Sequence, residues 1–442
     1  MPEHRPRIHW VSPLPPAETD IAHYTRRILP ELAARAEVTL WTDATTWDTE
    51  LEQFCQVRHM DPSKVLPKQI YSSGEPDGRS GDHPGTVFIN IGNSWVFHAG
   101  LLALAHRMPS VVVLHDLAIQ EMCLDTIHNT LLSRQPYLEA MHRWYGAAGR
   151  TAAQDALDGI IPATKLGQMY PGFEIAMDNA AAMLTHTSAA SNAIAAHGYV
   201  PAYQLELPFR ASDTASEERP VTGPLRFVQF GHIGPNRRLE QVLEALAGMG
   251  PNFDFIFDVV GKVWDPDLIQ ARCQALGISK KVHLHGYVPE PDLDALIAQA
   301  HLVFNLRHPT MGEASGSQLR IWNAAAASVV TDQGWYHHLP KDTVVHIPLD
   351  GEIPALHKLF ARLQEDRSFV QALGLAGRQR LIERHSPAQY ANGIVEVANA
   401  FETDVRDALL ANSARRLLSE GPDTPGTPRA QSLKHARLTQ LF

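Results

Sequence analysis

Short apolar runs, each closed by Gly or a polar residue and followed by a helical pattern, recur along nearly the whole chain. Ile8–Val11, Val38–Trp41, Thr86–Ile91, Ser110–Leu114 and Met183–Thr187 are such runs in the first half. Leu225–Phe230, Phe253–Val260, Val282–Leu284, Leu302–Leu306, Val329–Thr331 and Val344–Ile347 follow in the second. A strand that is apolar on both sides is buried on both faces, and a helix between strands supplies the crossover that parallel pairing needs. The pattern predicts an α/β protein with helices on both faces of parallel sheets. At 442 residues the chain is too long for one ordinary core. The polar stretch Asp213–Pro224 divides the runs into two sets. Residues 1–212 and 213–385 therefore read as two doubly wound, Rossmann-like domains facing across a cleft. Ser386-Pro387-Ala388-Gln389 is a capping box that opens a C-terminal helix, 386–412, and 413–442 reads as linker and tail.

One stretch carries more chemistry than the rest. Leu302–Leu306 leads into Arg307-His308-Pro309-Thr310-Met311-Gly312-Glu313-Ala314-Ser315-Gly316-Ser317, and Gln318–Ala327, free of Pro and Gly, is predicted helical. Such a strand-to-helix turn points free N–H groups and the positive end of a helix dipole at one place, which suits a phosphate. Arg307 stands at the start of the turn and Ser315, Gly316 and Ser317 at the helix mouth. Glu313 repels phosphate but suits the hydroxyls of a sugar beside it. After Phe230 comes Gly231-His232-Ile233-Gly234-Pro235-Asn236-Arg237-Arg238. Two cations at a helix start oppose the macrodipole by a few tenths to about 1 kcal/mol. A diphosphate held by the arginine forks would turn that conflict into a gain. In the first half, Asn93 and His115 follow two successive strands, where an open α/β sheet places ligand contacts. His115 alone reads equally well as a core histidine, and His232, near the arginines, as a weak ligand contact.

Composition excludes several classes. A net charge of −10 gives no hint of nucleic acid as partner. Three cysteines without metal-like spacing point to a reduced compartment, and the 23 histidines are scattered, so no metal site is expected. There is no apolar leader core, and no run nears the roughly 20 apolar residues a membrane helix needs. The expectation is a cytoplasmic protein without a transmembrane segment, compatible with peripheral membrane contact. G-x-G-x-x-G, G-x-S-x-G, P-loop and H-E-x-x-H motifs are all missing, which leaves no positive case for a dinucleotide, hydrolase, ATPase or zinc enzyme.

From Arg307 to Pro340 the residues R-H-P-T-M-G-E-A-S-G-S-Q-L-R and then T-D-Q-G-W-Y-H-H-L-P resemble family 4 (group 1) of the retaining, GT-B-fold glycosyltransferases, in the branch with a G-E-T-S-G turn and a later G-W-F. The likeness extends to S-P-L-P-P at Ser12–Pro16, G-N-S at Gly92, L-H-D at Leu114, F-G-H-I-G-P-N-R-R at Phe230 and G-Y at Gly286, covering roughly residues 7–410. The resemblance implies retaining transfer of a sugar from a nucleotide diphosphate sugar donor on the second domain to an acceptor on the first. The acceptor, a glycan, a lipid-linked sugar or a protein, is not readable. It implies catalytic roles for His115, Glu313 and Arg237, with Arg237 standing where a Lys usually holds the diphosphate. Arg238, Arg307, Ser315, Gly316, Ser317, Gly231, His232 and Val288 would bind the donor. Pro16, Thr19, Asp20 and Asn93 would line the acceptor or phosphate loop. No cofactor and no metal are called for. The chain departs from the family at Thr19-Asp20, where a Gly after Ser is usual, and at Ile321, where a second Glu is common. A catalytically silent binder of glycan, nucleotide sugar or protein, and a sugar phosphorylase, are the competing readings.

Overall fold

The computed structural model describes residues 5–71, 85–129, 132–213 and 219–401. The tail from 413, Val405 and parts of the predicted loops at 61–84 and 213–224 lie outside the described residues. The described residues form two compact units, those up to Leu205 together with those from Ala391 onward, and those from Glu206 to Tyr390.

In the first unit, β1 (Arg7–Val11), β2 (Glu37–Thr42), β3 (Gln56–His59), β4 (Thr86–Ile91), β5 (Ser110–Leu114), β6 (Ala180–Thr185) and β7 (Ala202–Gln204) form a parallel sheet ordered β3-β2-β1-β4-β5-β6-β7. In the second, β8 (Leu225–Phe230), β9 (Phe255–Val260), β10 (Val282–Gly286), β11 (Leu302–Asn305), β12 (Ser328–Thr331) and β13 (Val345–Ile347) run in the order β10-β9-β8-β11-β12-β13, again all parallel. Each order reverses once, between β1 and β4 and between β8 and β11. In a doubly wound sheet the crevice outside the strand ends opens at that reversal.

Central strands are wholly buried, as in β4, β5, β6, β11 and β12, because helices cover both faces. In the second unit Phe227, Phe253, Phe257, Phe304 and Phe360 pack ring against ring, with centroids 5.4–6.3 Å apart. Burying one such ring stabilises by about 1.5–3 kcal/mol.

Three local features differ from the sequence expectation. β3 and β7 have no apolar run to announce them: β3 is Gln-Val-Arg-His with Gln56 and His59 exposed, and β7 is only the three residues Ala202–Gln204. The helix after the 307–317 turn is Gly316–Asn323, shorter than Gln318–Ala327. Ala325 adopts φ +50° and turns the chain into β12. Gly374 seats against that turn, where a Cβ would stand 1.8 Å from the Ala325 carbonyl oxygen. Finally, the boundary between the units falls at Leu205/Glu206, ahead of the polar stretch, because the intervening residues are bonded into the second unit. Phe209 N donates to His385 O at 2.7 Å and Ser212 N to Asn323 Oδ1 at 2.8 Å, while Leu207 and Phe209 pack beside Trp322 and Trp335. Residues 387–401 are helical, and from Ala391 onward they group with the first unit. There Arg35 Nε donates to Asn392 Oδ1 at 2.6 Å.

Candidate functional site

In the second unit the expected residues gather at the carboxyl ends of β8 and β11, on either side of the reversal. β8 ends at Gly231, φ +105°, beside Gly261, whose Cβ would lie 2.1 Å from the Gly231 oxygen. Only glycine permits that approach. The chain then makes the single turn Pro235–Arg237. Arg237 is 8% exposed. Its Nη1 donates to Asn305 Oδ1 at 3.1 Å, and its carbonyl accepts from Gln229 Nε2 at 2.7 Å.

Asn305 ends β11 and ties Arg237 to the 307–317 turn. Its Nδ2 donates to Ser315 Oγ at 3.3 Å and Gln318 Oε1 at 3.0 Å. Ser315 is the N-cap of the helix Gly316–Asn323, its Oγ accepting from Gln318 N at 3.1 Å. Gln318 Nε2 goes on to Ser328 Oγ at 2.7 Å. The chain Arg237–Asn305–Ser315–Gln318–Ser328 is buried and polar, and such a network fixes one geometry only when its members are partnered. Its result is a guanidinium beside the start of a helix. Among the described residues, the N–H groups of Gly316 and Ser317 meet no acceptor, and a Cβ on Gly316 would meet open space.

Arg307 and Glu313 are paired with each other, Nη1 to Oε1. Glu313 Oε2 also accepts from Thr310 Oγ1 at 3.0 Å and from Met311 N at 2.7 Å. Glu313, 8% exposed, therefore organises its own turn. Arg238 is the residue the site does not gather. It takes φ +60°, and its guanidinium grips Glu352 at 2.5 and 3.1 Å. That ion pair, against a nearly buried carboxylate on the helix Glu352–Glu365, supplies the counter-charge that the sequence reading assigned to a diphosphate. His232 is exposed, and Val288 packs against the cluster of Val228, Phe230 and Val260.

In the first unit His115 follows β5. Its Nε2 lies 3.0 Å from Asn90 Oδ1, and since an amide oxygen only accepts, Nε2 carries the proton. Nδ1 is left as an acceptor with no hydrogen-bond partner among the described residues. The ring stands edge-on to Tyr24 at 4.8 Å and 4.9 Å from His186. Desolvation first, then His186 and His98, hold its pKa well below the usual histidine value. His115 is thus neutral at pH 7 and suited to accepting a hydroxyl hydrogen bond. Asn90, a polar residue inside the apolar run of β4, braces it by donating to Val11 O at 3.0 Å. Asn90, Asn305 and Gln318 were missed as site residues, although an amide inside or just after a buried run was visible in the sequence.

Asn93 is occupied structurally. Its Nδ2 donates to Glu121 Oε2 at 2.9 Å, its Oδ1 accepts from Met122 N at 3.0 Å, and its N–H goes to Asp116 at 2.8 Å. Pro16, in a cis Pro15–Pro16 bond, is exposed. Thr19 caps the helix Asp20–Ala33 by accepting from Ile21 N at 3.4 Å. Asp20 is the exposed first residue of that helix, where a carboxylate complements the dipole. An ordinary helix start accounts for Thr19-Asp20.

Residues 212–380 match the family described as Glycosyl transferases group 1. The chain resembles the group 1 glycosyltransferases and has their GT-B fold. Among solved structures, Anabaena Alr3699/HepE in complex with UDP matches with TM-score 0.57 at 14% identity, over 89% of this chain and 100% of that one. Sucrose-phosphate synthase from Thermosynechococcus elongatus matches with TM-score 0.58 at 14% identity, over 90% and 99%. WaaG, a glycosyltransferase involved in lipopolysaccharide biosynthesis, matches with TM-score 0.52 at 16% identity, over 87% and 98%. At these identities the likeness is one of fold. No curated protein matches the sequence. Among the described residues no helix is long and apolar enough to cross a membrane.

Proposed function

We propose that the protein is a retaining glycosyltransferase that moves a sugar from a nucleotide diphosphate sugar to a hydroxyl of a glycan, lipid-linked or protein acceptor, in glycan or polysaccharide biosynthesis and without a metal. The observation that carries this is the buried link from Arg237 through Asn305 to Ser315, which sets a guanidinium beside the open amides of Gly316 and Ser317. As the bond from the anomeric carbon to the diphosphate breaks, negative charge grows on the leaving oxygens. A fixed cation and fixed amides stabilise it without reorganising, each typically worth roughly 2.7–4 kcal/mol of barrier. Glu313, held by its turn, keeps lone pairs for donor-sugar hydroxyls, and neutral His115 offers Nδ1 to a sugar hydroxyl. The complexes of Alr3699/HepE with UDP and UDP-glucose support UDP-linked sugars as the first donors to try.

The test is calorimetric titration with UDP, GDP and ADP and their sugars. We expect a preference for one base and one sugar, and Arg237→Ala to weaken binding by roughly 10- to 100-fold, the loss of a charged hydrogen bond. No binding to any member by the folded protein would overturn the reading. Once an acceptor is found, retention is checked by the anomeric proton coupling of the product, and metal independence by turnover in chelator. A second reading, a silent nucleotide-sugar binder, is favoured by one observation: both oxygens of Glu313 already accept hydrogen bonds from its own turn. It predicts donor binding with no turnover of any kind, hydrolysis of the donor included.

A further inference from the structure

The outer edge of the second sheet carries a constellation that the transfer does not use. β10 is an edge strand, and His283 and His285, two residues apart, stand on one face of it. Asp258 on β9 is the register partner of His283. His283 Nδ1 lies 3.2 Å and His285 Nε2 2.7 Å from Asp258 Oδ1, and one ligand atom from each of the three residues lies within 4.8 Å of the other two. The ladder between β9 and β10 is irregular between Leu284 and Gly286, so His285 falls outside it and leans towards Asp258. Among the described residues no other trio of histidine, cysteine, aspartate or glutamate converges in this way.

We propose that Asp258, His283 and His285 form a site for a divalent transition-metal ion such as Zn2+. Two imidazoles and one carboxylate are the ligand set such ions favour, whereas Mg2+ and Ca2+ take oxygen shells. With metal–ligand bonds of about 2.0–2.2 Å, ligand atoms in a tetrahedral shell sit roughly 3.4 Å apart. The two imidazole–carboxylate separations, 3.2 and 2.7 Å, lie at or below that value, so a small outward turn of the histidines would suffice on those two sides. Asp258, with a side chain 9% exposed, is fixed by the sheet, whereas His283 and His285, 47% and 33% exposed, have room to turn. The ion would replace two hydrogen bonds to one carboxylate oxygen with three bonds to itself. Three protein ligands leave a position open to water, so the site is an open one. By joining β9 to the last strand of the edge, the ion would also clamp β10 to the sheet. The scattered histidine count concealed this, but the H-L-H spacing on a strand was visible.

The tag-free full chain, stripped with chelator, is titrated with Co2+ and then Zn2+. We expect one equivalent of Co2+ with visible ligand-field bands, displaced by Zn2+, and a melting temperature raised by on the order of 5 °C at Zn2+ about 100-fold above Kd. His283→Ala and His285→Ala, on exposed positions, keep the fold but lose the bands and the thermal shift. Asp258→Asn weakens both. Bands and stoichiometry unchanged in the two histidine variants, or no saturable binding by the native chain, would overturn the proposal. Nucleotide titrations of the same variants, expected to be unaffected, separate this result from the fate of the donor site.

Discussion

His98 and His186 each donate Nδ1–H to a backbone carbonyl, Asn90 O at 3.1 Å and Leu205 O at 3.2 Å, inside the first unit. In the second unit His385 does the same to Leu207 O at 2.7 Å. Burial lowers all three pKa values to about 4, and it also holds that of His115 well below the usual histidine value. In the unfolded chain each titrates near 6.5. Between those values the unfolded state holds protons that the native state refuses, so stability is full above about pH 6.5 and falls as the pH drops towards 4. Each fully buried ring contributes on the order of 3 kcal/mol to that loss. Urea midpoints measured from pH 7 to 4.5 should fall steeply. His98→Asn, whose amide can replace the Nδ1 donor, should flatten the slope; an unchanged slope would mean that His98 titrates normally. Glu313 tests the site at the same scale. Glu313→Gln keeps the bonds from Thr310 and Met311 in one amide orientation but removes the charge facing Arg307, so turnover should fall by at least 10-fold while the melting temperature shifts little. A large loss of stability with turnover per folded molecule intact would make Glu313 a structural residue alone.

The helix Gly316–Asn323 depends on Ser315 twice, as N-cap and as the acceptor for Asn305. Ser315→Ala removes both, and should cost about 1 kcal/mol for the cap plus a comparable amount for the unpartnered Asn305 donor. Nucleotide affinity should fall with it, because Asn305 also positions Arg237. Ser317→Ala, which has no such partners, serves as the control in chemical denaturation. At this scale the sequence was legible wherever an element is buried on both sides. The central strands announce themselves by continuous apolar runs, and the turn at 307–317 by its small residues and charges. β3 and β7 were hidden because one is mostly polar, Gln56-Val57-Arg58-His59, and the other is only three residues long. The end of the 316–323 helix was hidden because Ala324–Ala327 has helical propensity that the packing of Gly374 against Ala325 overrides. Arg238 misled for a related reason. Its partner Glu352 is distant in sequence, so a cation that is already neutralised looks like one awaiting an anion.

The two units differ in how the chain closes them. Glu206–Tyr390 is one continuous segment with its own aromatic core, and it holds Arg237, Asn305, Ser315 and both open amides. The hydrogen-bond chain Arg237–Asn305–Ser315–Gln318–Ser328 is made of residues of this unit alone. A fragment spanning 206–390 should therefore fold cooperatively and bind the preferred nucleoside diphosphate within about 10-fold of the full chain, equivalent to no more than about 1.4 kcal/mol. The first unit is discontinuous. Ala391, Ile394, Val397 and Ala398 are all buried, Thr86 Oγ1 donates to Ala398 O at 3.4 Å, and a Cβ on Gly393 would press to 2.4 Å on Leu205 Cδ2. A fragment ending at Leu205 loses that helix and should expose apolar surface, bind a hydrophobic dye and melt without a cooperative transition. Supplying 387–401 through a short Gly/Ser linker, which keeps its effective concentration high, should restore cooperativity. If the 206–390 fragment folds but fails to bind any nucleotide that the full chain binds, the donor contacts cannot reside in that unit alone. The roles given to Arg237 and the Gly316 and Ser317 amides would then be insufficient for nucleotide binding.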